Sequence, residues 1–430
     1  LALASGVGPQ AGIFTAIVAG FVISAFGGSS VQIAGPTAAF ATIVAGIVAK
    51  NGLDGLVIAT ILAGIFLVLM GLCHFGTLIR FIPYTITTGF TAGIAVTIVI
   101  GQLKDFFGVT YPDGVKPIET MEKLHAFVEN CGTVNLSAVI VGVVSLAILI
   151  ISPYIFKKIP GSLLAVVAGI LMVKLLPLKA STIGDLYSIS NALPGFHLPA
   201  LSLAAVEDAI PNAFTIAVLA AIESLLSCVV ADGMINGKHR SDMELVAQGA
   251  GNIASALFGG IPATGAIART AANIKNGGRT PIAGMVHSIT LVLVLVVLMP
   301  YAGMIPMPTI AAILFVVAYN MCQWRPFTHL IQTAPKSDIL VLLVTFFLTV
   351  VFDLVVAIEI GMLLTCLLFM KRMSDETHVD SWTYVDDDSD AVNDHMQKLA
   401  KEIRVYEITG PLFFGAANAI EHIVVKDFTK

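Results

Sequence analysis

The sequence predicts an all-α polytopic membrane protein built as a 7+7 inverted repeat of about 14 segments, and three observations carry that prediction. Hydrophobic residues make up 57% of the 430-residue chain and charged residues only 12%, where a soluble protein has about a quarter of its residues charged. The apolar residues gather into runs of about 20, the length that crosses a hydrocarbon core. Two further runs are interrupted by Gly and Pro. They fall third and tenth in order, the same place in two halves of seven.

In chain order, residues 11–27, 54–73, 83–103, 136–156, 160–178, 211–231, 281–300, 309–323, 335–352 and 354–371 read as transmembrane helices. Residues 242–258 (DMELVAQGAGNIASALF) are a weaker candidate. The opening LALAS reads as the tail of a longer hydrophobic segment, so truncated ends are expected, and no signal-peptide pattern is present. The first interrupted segment, VQIAGPTAAFATIVAGIVAK (31–50), has β-branched residues, then Gly35-Pro36, then a helical run from Thr37. The second, GGIPATGAIARTAANIKNGG (259–278), repeats the design with Ile261-Pro262, Thr264-Gly265 and a short helix to about Ile274. Each reads as a short strand leading into a half-helix. Such breaks survive in a bilayer only where the freed backbone groups line a polar cavity or are buried in protein. Broken helices at matching positions point to a midplane binding site between two repeats, and an odd number of segments per half forces the halves to be inverted.

With a cytoplasmic N-terminus, the inner loops hold Arg80, Lys157, Lys158, Lys238, Arg240, Lys275, Arg279, Arg325, Lys336, Lys371 and Arg372. The outer loops hold Lys50, Lys104, Lys116, Lys123, Lys174 and Lys179, most of them in two longer excursions at 104–135 and 179–206. The short inner loops are the basic ones, as the positive-inside rule requires. Within the first excursion, 117–128 has the pattern of an amphipathic surface helix. Residues 1–372 thus form the membrane domain. Residues 373–397, with the charge run Asp386, Asp387 and Asp388, read as an acidic solvated linker. From 398 to 430 a small cytosolic domain begins, in which EIRVYEIT alternates like a half-buried strand and Gly410-Pro411 turns.

The composition also excludes functions. A net charge of −5 without a basic face argues against nucleic-acid binding. Cys73, Cys131, Cys228, Cys322 and Cys366 form no CxxC pair, so neither a zinc ribbon nor a disulfide framework is indicated. Neither HExxH nor GxSxG occurs, and the glycine pairs Gly259-Gly260 and Gly277-Gly278 lack GKS or GKT. They read as helix-terminating turns, and no enzyme or cofactor is predicted.

Ionisable residues inside membrane segments are costly and functional by default. Arg269 lies about a turn into the second half-helix. The unpaired N–H groups and dipole of a half-helix start favour an anion, and a guanidinium adds a planar fork suited to oxyanions. Alternatively Arg269 pairs with a nearby acid and holds the helix in place. Glu223, in AVLAAIESLLSCVV, shares a helix face with Ser227 at i, i+4. A carboxyl group in low dielectric is a natural proton carrier; with hydroxyl and carbonyl neighbours it would instead bind Na⁺. The remaining reading is a salt bridge, with Arg269 as one partner. Glu359 reads as a packing or interfacial acid, Glu244 and Asp353 as caps or loop partners, and His287 as a satisfied buried histidine.

Residues 245–284 (LVAQGAGNIASALFGGIPATGAIARTAANIKNGGRTPIAG) closely resemble the sulfate permease (SulP) family, bacterial relatives of the animal solute-carrier anion exchangers that include prestin. VQIAGPTAAF (31–40) is similar to the first half-helix of that family, ASGVGPQAGIFTA (4–16) to its first-to-second helix turn, and ITGPLFFGAA (408–417) to the opening of its C-terminal STAS domain. The resemblance implies a core domain and a gate domain, a homodimer, and a STAS domain in the cytoplasm that takes a regulator. In a bacterial inner membrane the chain would then be a multi-pass protein with a cytoplasmic C-terminus.

The resemblance further implies that an anion sits between the two half-helix starts. It would be contacted by Pro36, Thr37 and Ala38 on one side and by Gly265, Ala266, Ile267, Ala268 and Arg269 on the other, with Arg269 as the positive anchor. Na⁺-coupled bicarbonate members carry aspartate in place of Glu223, threonine in place of Ser227 and threonine in place of Ile267. These departures favour H⁺ coupling at Glu223, and IPATGAIART looks closer to sulfate or dicarboxylate members. The expectation is an H⁺-coupled secondary transporter of small inorganic or carboxylate anions with an elevator-type cycle. The alternatives are a Na⁺-coupled bicarbonate transporter, an anion channel or exchanger, and a nucleobase carrier, which would not need Arg269.

Overall fold

The computed structural model of the chain describes residues 2–37, 39–77, 83–112, 117, 119–155, 159–176, 178–187, 192–199, 202–352, 354–375, 378–383 and 404–409. After a short 3-10 turn at Leu3–Ser5, the elements run α1 (Pro9–Phe26), β1 (Ala34–Gly35), α2 (Phe40–Leu72), α3 (Tyr84–Phe107), α4 (Thr120–Glu129), α5 (Leu136–Ile155), α6 (Gly161–Leu175) and α7 (Ile183–Leu186). The second half holds α8 (Leu203–Ile235), α9 (Ser241–Leu257), β2 (Thr264–Gly265), α10 (Ile267–Lys275), α11 (Ile282–Ala302), α12 (Met307–Cys322), α13 (Trp324–Thr333), α14 (Lys336–Val351) and α15 (Leu354–Asp375). A separate pair, β3 (His378–Thr383) and β4 (Arg404–Thr409), follows.

Every apolar run read from the sequence is a helix. Among the described residues, seven helices are long and apolar enough to cross a membrane, and large apolar side chains such as Ile150, Leu163, Phe347, Leu363 and Phe369 face outward, as a bilayer requires. α2 is two helices in one. Gly52, at φ 71° and ψ −173°, breaks it between the half-helix and the span that follows, a conformation that only glycine adopts without strain. The amphipathic segment expected at 117–128 is α4, closed by a capping box between Glu119 and Glu122. The weaker candidate is α9, a full helix whose Glu244, Gln248, Asn252 and Ser255 are all buried. Its polarity faces inward.

Three features depart from the sequence reading. α8 starts at Leu203 instead of 211, because Pro211 lies inside the helix rather than at its head. α13 was not anticipated; it follows Gln323, whose left-handed φ of 45° turns the chain after α12. The stretch read as an acidic linker contains β3, which pairs antiparallel with β4 from His378↔Thr409 to Thr383↔Arg404. Its Val, Trp and Thr residues carry strand propensity that the acidic composition masked. Asp386–Asp388, Asp353, Arg80, Lys116, Lys157, Lys158 and residues 410–430 lie outside the described residues.

The helices associate in two groups. One comprises α1, α2, α8, α9, α10 and α11; the other comprises α3, α5, α6, α12, α14 and α15. A large apolar cluster spans both, from Phe40, Val44 and Ile47 of α2 and Ile216 and Leu219 of α8 to Phe90 and Ile94 of α3 and Leu314 of α12. Within the first group α2 and α9 meet at backbone distance: a Cβ on Gly64 would lie 2.7 Å from the Gly249 carbonyl oxygen. Small residues allow this approach where no hydrophobic force drives helices together.

Candidate functional site

The site is built where β1 and β2 cross. Ala34 pairs with Gly265 and Gly35 with Thr264, antiparallel, and the Ala266 N–H adds a bond to the Ile33 carbonyl at 3.0 Å. Each strand precedes a half-helix, β1 (to Gly35) that of α2 (from Phe40) and β2 (to Gly265) that of α10 (from Ile267). Antiparallel pairing makes the two chains run in opposite directions, so the two helix starts converge from opposite sides. Neither start has a side-chain cap. The first N–H groups of each helix are therefore not capped by a side chain, and such helix starts favour negative charge.

Arg269 reaches across this junction. Its Nη2 donates to the Pro36 carbonyl at 2.5 Å, so the guanidinium on α10 touches the chain entering α2. Among the described residues no acid lies within 4.0 Å of it in an ion pair. The salt-bridge reading is thus not what the geometry shows: the partner of the guanidinium is a backbone carbonyl. Gly35 makes room for it. At φ 151° this position favours glycine, and a Cβ there would stand 2.6 Å from Arg269 Nη1.

α8 forms the wall. Ala220, Glu223, Ser224 and Ser227 lie on one stripe at helical spacing and all face the strand crossing. Glu223 is 8% exposed, and its Oε2 accepts from the Thr37 hydroxyl at 2.8 Å. Ser224 shares a 2.8 Å hydroxyl bond with Thr264 and accepts from the Gly265 N–H at 3.0 Å. Thr264 also donates to the Ala220 carbonyl at 3.1 Å. Ser227 turns toward Thr270 instead, at 3.4 Å, and Thr270 Oγ1 in turn accepts from the Ile33 N–H at 3.0 Å. Ser227 is thereby part of the scaffold that holds β1 in place.

The structure brings together Pro36, Thr37, Gly265, Ala266, Arg269 and Glu223. Ile267 is half-buried and Ala268 exposed in the first turn of α10; Ala38 lies outside the described residues. Glu359 is exposed on α15. Glu244 is fully buried and does serve as a loop partner, accepting from the Gly28 and Ser29 N–H groups. His287, expected as a satisfied buried histidine, is half-buried, and its Nε2 has no hydrogen-bond partner among the described residues. Sequence reasoning missed Ser224, Thr264, Thr270 and Asn252, whose amide clamps the Ala263 backbone on both sides at 2.8 and 2.9 Å. A polar stripe at i, i+4, i+8 on α9 and hydroxyls flanking Glu223 were the available signals. No group of three or more His, Cys, Asp or Glu side chains that could hold a metal occurs among the described residues.

The model of the sulfate permease family matches residues 1–345. YvdB of Bacillus subtilis, provisionally named a sulfate transporter, is 41% identical over 439 residues, covering 100% of this chain and 79% of that protein. The bicarbonate transporter BicA of Picosynechococcus is 31% identical over 443 residues, covering 99% of this chain and 77% of that protein. The solved transmembrane domain of a cyanobacterial BicA superposes with a TM-score of 0.74 at 30% identity, over 83% of this chain and 91% of that one. The murine anion transporter Slc26a9, in its inward-facing state, shares the fold with a TM-score of 0.85 at 18% identity, over 99% of this chain and 74% of that one. The chain belongs to the sulfate permease family of multi-pass membrane anion transporters, and its work is carriage of an anion across a bilayer rather than catalysis.

Proposed function

We propose that the protein is a secondary active transporter of small oxyanions or carboxylates, of the sulfate or C4-dicarboxylate class, driven by protons. The convergence of two uncapped half-helix starts beside the guanidinium of Arg269, which makes no ion pair among the described residues, carries this reading. Backbone N–H groups, two dipole ends and a planar fork together suit a doubly charged oxyanion. The 41% identity to YvdB supports sulfate over other anions.

Glu223 is the coupling group. It is buried beside the anion site and bonded to the half-helix start through Thr37, so its charge state and occupancy of the site act on one another. Sodium fits less well. The Ser227 hydroxyl is committed to Thr270, and Ile267 offers no side-chain oxygen. The relatedness to BicA favours bicarbonate as the second substrate reading.

The two helix groups take the roles of core and gate. The group containing α1, α2 and α8–α11 holds the entire site and moves as one body against α3, α5, α6, α12, α14 and α15. The protein sits as a homodimer in a bacterial inner membrane with its C-terminus in the cytoplasm, where β4 opens a STAS domain that takes a regulator. Reconstituted protein should take up labelled sulfate or fumarate faster when an inward proton gradient is imposed. Uptake indifferent to pH and driven by an inward Na⁺ gradient would overturn proton coupling. Linear, non-saturating flux would mark a channel instead.

A further inference from the structure

Glu244 is a fully buried carboxylate that no ion pair accounts for among the described residues. Four neutral donors surround it. Oε2 accepts from the N–H groups of Gly28 at 2.8 Å and Ser29 at 3.1 Å; Oε1 accepts from Gln32 Nε2 at 2.8 Å and Gln248 Nε2 at 3.0 Å. Burying a charge is costly unless its hydrogen bonds are made, and here each oxygen has two. The donors come from the loop after α1, from the chain entering β1, and from α9 itself. One carboxylate ties three parts of the core group together.

Gln32 passes this anchoring to the anion site. While its Nε2 is held by Glu244, its Oε1 accepts from the Cys228 thiol of α8 at 2.8 Å. Cys228 adjoins Ser227 on the helix that carries Glu223. The other side of the Gln32 amide lies against β2, so close that a Cβ on Gly265 would collide with it. A side chain bonded at both ends and pressed on its flank has one position. That position fixes how far β1 stands from β2 and from α8, and hence how far Pro36 and Thr37 stand from Arg269 and Glu223.

We propose that Glu244 and Gln32 form a positioning pair, through which a buried carboxyl group remote from the substrate sets the spacing of the two half-helix starts and so the affinity for the anion. This rests on the transport reading above, but it makes a prediction about the empty protein that does not. Gln32→Met keeps the volume and breaks both bonds. Gln32→Glu sets two carboxylates face to face. Combining it with Glu244→Gln restores a carboxyl–amide pair with the partners exchanged: the new amide oxygen accepts from the Gly28 and Ser29 N–H groups, its NH2 donates to the new carboxyl and to Oε1 of a turned Gln248 amide, and the thiol keeps an acceptor.

Two measurements on detergent-solubilised, folded protein test the pair. In hydrogen exchange without substrate, the backbone N–H groups of Gly265 and Ala266 should exchange at least about tenfold faster in Gln32→Met than in the parent, the scale of one hydrogen bond to a charged group. The double variant Gln32→Glu/Glu244→Gln should recover most of that protection relative to Gln32→Glu alone. In uptake assays, Gln32→Met should raise the KM for sulfate about tenfold with a smaller change in maximal rate, and the double variant should reverse the rise seen in Gln32→Glu. Unchanged exchange at 265–266 in Gln32→Met, or a double variant no better than the single one, overturns the proposal. Altered exchange in a protein that moves no anion overturns the transport reading and leaves the positioning pair standing. If Gln32→Met does not fold, the comparison of Gln32→Glu with the double variant decides alone.

Discussion

The Thr37 hydroxyl donates to Glu223 Oε2 at 2.8 Å, joining the first half-helix start to the buried acid of α8. Thr37→Ser keeps the donor, whereas Thr37→Val keeps the shape and strips a buried carboxylate of a partner, at a cost of ~1–3 kcal/mol. Proton movement accompanying sulfate uptake, followed with a pH dye inside liposomes, should slow about tenfold in Thr37→Val and stay near the parent in Thr37→Ser. Equal rates in the two variants would separate this hydrogen bond from coupling.

Arg269 holds the Pro36 carbonyl, and in the proposed function it also presents charge to the anion. Lysine keeps the charge but not the fork. Arg269→Lys should therefore raise the KM for a tetrahedral oxyanion about 10- to 100-fold, the worth of one or two charge-assisted hydrogen bonds. Arg269→Gln should lose saturable uptake altogether while still eluting as a folded species from a sizing column. Retained affinity in Arg269→Gln would leave Arg269 only its bond to Pro36.

Gly35 and Gly46 stand eleven positions apart and should respond in opposite ways to the same methyl group. A Cβ on Gly35, at φ 151°, would press 2.6 Å from Arg269 Nη1. On Gly46, inside the half-helix, it would meet nothing within 4 Å. Gly35→Ala should abolish uptake or raise KM more than about tenfold, since the displaced guanidinium loses a charged hydrogen bond. Gly46→Ala should transport normally and gain about 0.5–1 kcal/mol of helix stability, read as a higher melting temperature. Loss of uptake in both would point to helix flexibility rather than to the guanidinium.

How far the sequence revealed this molecule depended on the kind of residue. Uniform apolar runs such as 136–156 declared themselves, because spanning helices are defined by composition and length alone. α9 was ambiguous because its polar stripe faces other protein, not lipid, and a linear reading cannot see which way a helix turns. Gly35-Pro36 and Thr264-Gly265 marked the breaks in the helices. That the two breaks pair with each other is a contact across 230 residues in register Ala34↔Gly265, visible only in the fold. Arg269 and Glu223 stood out as charges in apolar surroundings. Ser227 was placed beside Glu223 by helical spacing, yet its hydroxyl is drawn to Thr270, since i, i+4 neighbours on a helix still choose partners from the elements packed against them.

Asp185 offers a test of how the two helix groups are connected. The chain from α6 to α8 and the chain from α11 to α12 both lead from one group to the other, and they dock on each other. Thr182 bridges to Pro306, and the Gly184 N–H donates to the Gly303 carbonyl at 2.9 Å. Asp185 secures this docking by accepting from both the N–H and the hydroxyl of Thr182, at 2.7 and 2.8 Å. Those two donors favour the ionised carboxyl and hold its pKa below the usual 3.8. A depressed folded pKa means that the stabilisation is fully present above the unfolded value and is lost as pH falls through the folded one. Asp185→Asn should accordingly melt earlier than the parent by a constant margin from pH 7 to about 5, and the margin should close below about pH 4. The group is exposed, so the margin will be small, and added salt should narrow it. A margin independent of pH would mean that Thr182 and Gly184 hold the two connections together through backbone geometry, with the Asp185 charge as a bystander.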